Sequence, residues 1–539
     1  MIHVPPFATT PRVFSIVSPL ASALLVSSAL LLATGSFALG QTPKGGSDDK
    51  PDISPLVKRL ESKITSDKLR ALRALMRMKI DAETARPLLE KQLSAKDAEF
   101  RKELVPAIEE LLGSSGVDLL EKLYSDPYKD VRLRAVAAGC ALWPQKDAQT
   151  FCRSAMDDPD YAFRMKVVTT VRQKHAKDPA AIELFRKALD DRSEVVQRSA
   201  VFALQAARDA GSVAKLRAMA RTVPDQVAIP IVEEALPAIG NADAIDALIS
   251  VLPKPTPAEK GETKSSGPLR PSDLTRAAAA RGLARIKATK ALPALRSLLD
   301  DPSEILRLAG LRGIAAMRDG GAVGRLIELL SDRSMRVRRS TLITLRKIGP
   351  ELARPAADAT LKLLKDDKNA GIRAEAAGVY GLLLGKEAIA ELVAAGKDSD
   401  DGVRFEAVGA LTLIGKPAAR ALIPFLADED LAVSAMAVEG LGEVGTKELI
   451  PDLLKVARAD ASEKRHVRIA VARAIGKIGG DASVDPLLEL SKDTFPAVRQ
   501  AAAEALAAVG GERATTRLRE MMRDKSSTVR DAVRRGLAK

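Results

Sequence analysis

Histidine, cysteine and aromatic side chains are scarce in this 539-residue chain, which has three His, two Cys, one Trp and 3% aromatics. Each shortage removes a class of chemistry. Apart from His3, the only imidazoles are His175 and His466, which stand in separate stretches without metal-ligand spacing to Cys or carboxylates. The chain has no Cys-x-x-Cys-His haem site, no Walker-type phosphate loop and no Gly-x-Ser-x-Gly nucleophile elbow. Asp and Glu are plentiful, but in-phase surface carboxylates are ordinary on helices. The sequence therefore assigns no catalytic residue, no metal ligand and no cofactor. So few large anchors also speak against a β-sandwich or a large globular core, because a chain rich in Ala, Leu and Arg suits closely stacked helices.

At this length one compact core is not sustained, and a chain divides into domains or into an array whose units bury their faces on one another. Self-similarity decides for the array. The segments DRSMRVRRSTLITLRKIG (332–349), DSDDGVRFEAVGALTLIG (398–415) and DTFPAVRQAAAEALAAVG (493–510) each open with Asp, reach Val-Arg, continue with apolar residues at helical spacing and end in Gly. The residue after the apolar starter recurs at 70, 101, 132, 164, 197, 229, 276, 307, 338, 373, 404, 434, 468, 499 and 530, with one long step between 229 and 276. This predicts about fifteen helix pairs. A short amphipathic first helix, such as GRLIELL (324–330), leads to a turn rich in Asp, Ser and Pro, and then to a second helix. In the 332–349 copy Val337, Thr341, Thr344, Leu345 and Ile348 fall on one face, and Gly349 supplies the stop. No segment alternates with strand period, so the fold class is all-α.

The helix pair with Asp in its turn and Val-Arg opening its second helix resembles HEAT repeats, especially the short HEAT-like type also found in bilin lyases. The resemblance covers roughly residues 55–539 and implies a right-handed α-solenoid whose second helices line the concave face. It says little about any one activity, since such solenoids mostly present surfaces. In eight copies an Asp lies six residues before the marker Arg: Asp126/Arg132, Asp158/Arg164, Asp301/Arg307, Asp332/Arg338, Asp367/Arg373, Asp398/Arg404, Asp493/Arg499 and Asp524/Arg530. The Asp suits the start of the second helix, and the Arg can reach the Asp of its own or an adjacent unit in a fork. HEAT repeats are known for such a ladder, so these residues are assigned to the structure before any phosphate-binding role. Gln197, Ile229 and Ser434 replace the Arg in three copies, which predicts gaps.

Net charge is +14, but it is concentrated. Residues 270–347 hold 17 Lys+Arg against 7 Asp+Glu, whereas residues 351–539 hold 29 of each. On the second helix of the 332–349 copy, Arg336, Arg339, Arg346 and Lys347 lie opposite the apolar seam. One and two repeats earlier, Arg312 and then Arg281 and Arg285 occupy related outward positions. One and two repeats later come Gly378 and Gly409. The expectation is a basic patch across three helices, about 20–30 Å wide at the usual helix spacing, facing either solvent or an anionic partner.

Three features stand outside the array. Residues 1–40 carry Arg12 and then the uncharged run VFSIVSPLASALLVSSALLLATGSFALG with small residues at its end. They read as an export signal, or as a membrane anchor if the run stays attached. No cysteine lies near it, which excludes a lipobox. Residues 41–54 read as a flexible linker, separating the signal from repeats at 55–251 and 274–539. Between these, LPKPTPAEKGETKSSGPLRPSD (252–273) reads as a mobile insertion loop. Cys140 and Cys152 sit on successive helices across a turn. Antiparallel helices can bring them level for a disulfide in an exported chain, but the reading leans to two buried thiols.

Three functions compete. The leading one is an exported (periplasmic or extracellular), non-enzymatic scaffold that binds a protein, with an acidic segment docking at Arg281–Lys347. The second, implied by the resemblance, is a bilin-lyase-like enzyme or chaperone, which export disfavours. Nucleic-acid binding ranks last, because the outward positions carry no aromatic platform for stacked bases. Membrane contact is expected only through an uncleaved N-terminal segment.

Overall fold

The second helix of the 332–349 copy shows how the repeat is built. Asp332 Oδ1 accepts the backbone N–H of Ser334 at 2.8 Å, and Ser334 Oγ accepts that of Val337 at 3.4 Å, so two free donors at the helix start are satisfied. The helix runs Met335–Ile348. It ends at Gly349, whose φ of 96° is open to glycine and strained for other residues. Val337, Thr341, Leu342, Thr344, Leu345 and Ile348 are buried, while Arg336, Arg339, Ile343, Arg346 and Lys347 face outward. The two threonines are tolerated in the seam because each hydroxyl bonds a carbonyl four residues back, Val337 O at 2.8 Å and Ser340 O at 2.7 Å.

This computed structural model describes residues 52–253, 271–459 and 465–538. The expected signal segment, most of the linker and nearly all of the 252–273 insertion lie outside the described residues. Each of the fifteen marker residues falls within a helix, from Arg70 in Thr65–Met78 to Arg530 in Ser527–Leu537. No strand occurs among the described residues. Each first helix packs on its own second helix, and successive second helices pack side by side. One continuous hydrophobic core runs through them from Val117 to Val533. The architecture is an all-α solenoid.

Close packing of the second helices, on one another and on first helices, depends on small residues. A Cβ on Gly282 would run into the Val232 carbonyl, and one on Gly313 would lie 2.9 Å from a Leu295 methyl. Two copies depart from plain α-helix. The copy at Ile229 is Asp225–Pro230, a π-turn over Ile231–Ala235 and then Leu236–Ile239, with Pro230 and Pro237 removing backbone donors. The first helix at Lys416–Ala427, bearing Pro417 and Pro424, is wound as 3₁₀ turns.

Cys140 and Cys152 are both fully buried and are joined as a disulfide, with Cα atoms 5.7 Å apart. This replaces the two separate buried thiols expected from the sequence. The end of Lys129–Ala141 and the body of Lys146–Ala155 are in phase, which a sequence pattern at this range does not reveal.

Candidate functional site

The arginine ladder has to be separated from the surface cations first. Arg338 donates from Nε and Nη2 to the carboxylate of Asp367 in the next repeat, and from Nη1 to the backbone carbonyl of its own Asp332. Arg373 does the same with Asp398 and the Asp367 carbonyl, Arg404 with Asp428 and the Asp398 carbonyl, and Arg499 with Asp524 and the Asp493 carbonyl. Arg164 pairs with Asp191 at 2.7 Å and Arg307 with Asp332 at 2.9 Å. The six-residue spacing thus marks a side-chain-to-carbonyl bond, and the ion pair reaches one repeat further. Arg132 and Arg530 bond the carbonyls of Asp126 and Asp524, and no rung joins Arg132 to Asp158, which accepts instead from Tyr124 Oη at 2.5 Å.

Counting Asp six residues upstream missed three rungs, Arg101–Asp126, Arg276–Asp301 and Arg468–Asp493. It also missed a second series on the first helices, Arg186–Asp209 and Arg296–Asp319. Asp191 and Asp428 serve the repeat before them although Gln197 and Ser434 stand at their own markers. In those copies Gln197 Nε2 and Ser434 Oγ bond the turn carbonyls of Asp191 and Leu426. Most rungs sit within a repeat-to-repeat seam, with carboxylates between 4 and 14% exposed, so the ladder belongs to the fold.

The seven outward cations behave differently from one another. Arg281 makes a bidentate pair with Glu233, both bonds 2.8 Å, and its guanidinium holds the Glu233 carboxyl below the usual range against the opposing effect of burial. Arg285 reaches Glu234 at 3.2 Å, Arg336 reaches Glu304 at 3.5 Å, and Arg346 reaches Glu375 at 2.8 Å. Arg346 also lies beside Glu406, where partial burial pushes the carboxyl above its ordinary value, Arg346 opposes this and Glu375 adds to it. Arg312, Arg339 and Lys347 are exposed and have no ion-pair partner among the described residues. The excess counted over 270–347 is therefore offset in part by Glu233, Glu234 and Glu375, which lie outside that window in sequence and beside it in space.

Sequence reasoning also missed a groove of about 430 Å³ over the second helices at Ala98–Leu112, Lys129–Ala141 and Tyr161–His175. Ala138, Ala141 and Thr170 line it together with Arg134, which pairs with Glu103 at 2.9 Å, and Lys166. Its sequence signal is the cluster of small side chains Ala137, Ala138 and Ala141 at the end of one second helix. Among the described residues no group of His, Cys, Asp or Glu is placed to hold a metal ion, and no helix is long and apolar enough to cross a membrane.

Among solved structures the chain resembles the karyopherin Kap121p. Bound to Nup53p, that protein aligns with a TM-score of 0.53 and 13% identity, covering 90% of this chain and 64% of its own. Bound to the extreme C-terminus of the protein phosphatase Cdc14p, it aligns with a TM-score of 0.52 and 13% identity, covering 89% and 64%. At this identity the likeness is one of fold, and the chain spans less than two thirds of those proteins. No curated protein matches the sequence. The family model for HEAT repeats matches seven stretches, 117–205, 150–236, 269–346, 296–378, 357–422, 419–494 and 459–538, which together take in well over half the chain. Stacked helix pairs, the inter-repeat Arg–Asp ladder and these matches agree, and the chain belongs to the HEAT-repeat family.

Proposed function

We propose that the chain is an exported, non-enzymatic scaffold that binds a protein along its second-helix face, taking an acidic segment at Arg312, Arg339 and Lys347. The observation that carries this reading is the exposure of those three cations on two successive second helices, with no ion pair formed among the described residues and only a longer-range attraction between Arg312 and Glu233. A cation without a fixed partner keeps its full attraction for an incoming anion, whereas Arg281 and Arg346 would first have to leave Glu233 and Glu375. Support for a protein partner comes from the fold, since the similar Kap121p structures hold Nup53p and a segment of Cdc14p. Support for export comes from the Cys140–Cys152 disulfide, which suits an oxidising compartment, and from the apolar N-terminal run. Retention of that run would hold the scaffold at a membrane.

The test uses poly-glutamate as probe and the full chain. Arg312→Gln/Arg339→Gln/Lys347→Gln should weaken binding and flatten its salt dependence. A variant neutralising the exposed Lys362, Lys492 and Lys525, which lie off this face, should change binding far less. Equal losses in the two variants would reduce the effect to net charge and sink the reading.

A further inference from the structure

We propose that the acidic segment carries bulky apolar side chains, which lie against Leu382 and Leu413 beside Arg339 and Lys347. This rests on the docking reading above and adds the side-chain class that gives the surface its specificity.

Three second helices, Met335–Ile348, Ala370–Leu384 and Asp401–Ile414, pack side by side. They present the same two outward positions, five and nine residues after the ladder arginines Arg338, Arg373 and Arg404. The first of these positions is Ile343, then Gly378, then Gly409. The second is Lys347, then Leu382, then Leu413. Ile343 is 37% exposed, Leu382 41% and Leu413 89%, so apolar side chains stand in water on three consecutive helices. Single exposed leucines are commonplace, but Leu382 and Leu413 at one register, with Lys347 at that register on the preceding helix, mark an interaction surface. Arg339 lies one turn before Ile343 and Lys347 one turn after it, and neither has an ion-pair partner among the described residues.

Gly409 adds an independent argument. A Cβ there would meet only Met436 Cε, at an ordinary 3.8 Å. By contrast, a Cβ on Gly381 would lie 2.9 Å from Ala410 Cβ, and one on Gly440 would collide with the Thr412 hydroxyl. Those two glycines are needed for helix packing and Gly409 is not. A glycine inside an exposed helix costs stability relative to alanine, so its presence calls for something that uses the bare backbone. At Gly378 the space is taken by the Arg346 guanidinium, 2.9 Å from where a Cβ would stand and on its way to Glu375, and by the Glu406 carboxylate at 3.5 Å. The floor between Leu382 and Leu413 is therefore shallow and open at Gly409.

Charge selects the occupant. Glu375 and Glu406 on the two glycine-bearing helices are already engaged by Arg346, while Lys347 and Arg339 stay open to carboxylates at the neighbouring helix. A segment in the polyproline II conformation, rising about 3.1 Å per residue with three residues per turn, crosses helices about 10 Å apart in three residues and presents every third side chain to the same side. A carboxylate at Lys347 then places apolar side chains three and six residues on, against Leu382 and Leu413.

The test uses three labelled synthetic peptides with the full chain: an acidic run followed by Leu-Ser-Ser-Leu, the same peptide with both leucines replaced by serine, and the leucine peptide without its acidic residues. The leucine-bearing acidic peptide should bind about ten-fold more tightly than its serine twin, an amount in keeping with burying one leucine side chain. Leu382→Ser/Leu413→Ser alters only exposed positions without adding charge and should erase that preference while leaving the serine peptide's affinity within about two-fold. Equal binding of the two acidic peptides overturns this inference and leaves acidic docking standing. If no acidic peptide binds at low salt, both readings fall. A leucine preference that survives the double substitution places the apolar contact elsewhere, and a concentration-dependent dimer dissolved by Leu413→Asp assigns the surface to a second copy. Either result overturns the proposal.

Discussion

Arg338 and Asp367, 29 residues apart in sequence, meet side on, with Nε and Nη2 of the guanidinium 2.7 and 3.0 Å from the two carboxylate oxygens. The third nitrogen is 3.0 Å from the carbonyl of Asp332, so one side chain ties its own turn to that of the next repeat. The Asp367 side chain is only 4% exposed. Such a pair contributes modestly over a well-packed apolar alternative, but removing one partner strands the other. Arg338→Ala is expected to cost about 3–5 kcal/mol in urea unfolding. Arg339→Ala, one residue away on the exposed side, should stay within about 0.5 kcal/mol. Comparable losses at the two positions would contradict the division between ladder and surface.

The same ladder sets the acid limit of stability. The Arg373 hydrogen bonds hold the Asp398 carboxyl below its usual range, with burial opposing them, and Arg499 and Arg186 do the same for Asp524 and Asp209. A carboxyl whose folded pKa is depressed adds stability that is complete above its unfolded value of about 3.9. That stability is lost as the pH falls through the folded values. Thermal unfolding should therefore show a level Tm from neutral pH to about pH 5 and a steep decline below about pH 4. Replacing the Arg373–Asp398 rung by Gln and Asn should make the decline shallower. An unchanged slope would remove the ladder as its cause.

Two helical glycines should respond in opposite directions to the same substitution. At Gly282 a methyl group would strike the Val232 carbonyl and come within 2.9 Å of the Pro237 ring, both on a helix already bent by a π-turn. Gly282→Ala is expected to destabilise by about 1–3 kcal/mol as the helices part. Gly409→Ala meets no obstacle and should stabilise by about 0.5–1 kcal/mol. Chemical unfolding of the two variants decides it, and a loss at Gly409 would show that the fold, not a ligand, needs that glycine.

These contrasts mark what the sequence carries. Period and seam were legible because both are local. Val337 through Ile348 repeat at helical spacing within one helix, and those residues are buried. The partner of Arg338 was not legible, since the six-residue interval to Asp332 records a carbonyl bond and the carboxylate comes from a stacked neighbour. Charge misled for the same reason. A window over 270–347 holds Arg281 and Arg346 but not Glu233 and Glu375, which stacking brings alongside. The repeat register aligns Leu382 and Leu413 with Lys347, but their exposure depends on how the helices stack, which the register does not give.

The Cys140–Cys152 bond lends itself to a decisive measurement, because the only tryptophan is beside it. Trp143 is buried one turn beyond Cys140, with its indole N–H 2.9 Å from Asp178 in the next repeat, so its fluorescence reports on the packing of this region. Both sulfurs are buried, so a reductant has to wait for local opening, and dithiothreitol should act slowly on the native chain and at once on the unfolded one. The bond closes a loop of sequence separation 12, for which chain entropy gives about 3 kcal/mol. Reduction, or Cys140→Ala/Cys152→Ala, should therefore lower the urea midpoint followed at Trp143 while leaving the helical circular dichroism of the folded chain unchanged. Protein recovered from an oxidising compartment should contain no titratable thiol even when denatured. Two thiols per chain would remove both the bond and the strongest structural support for export.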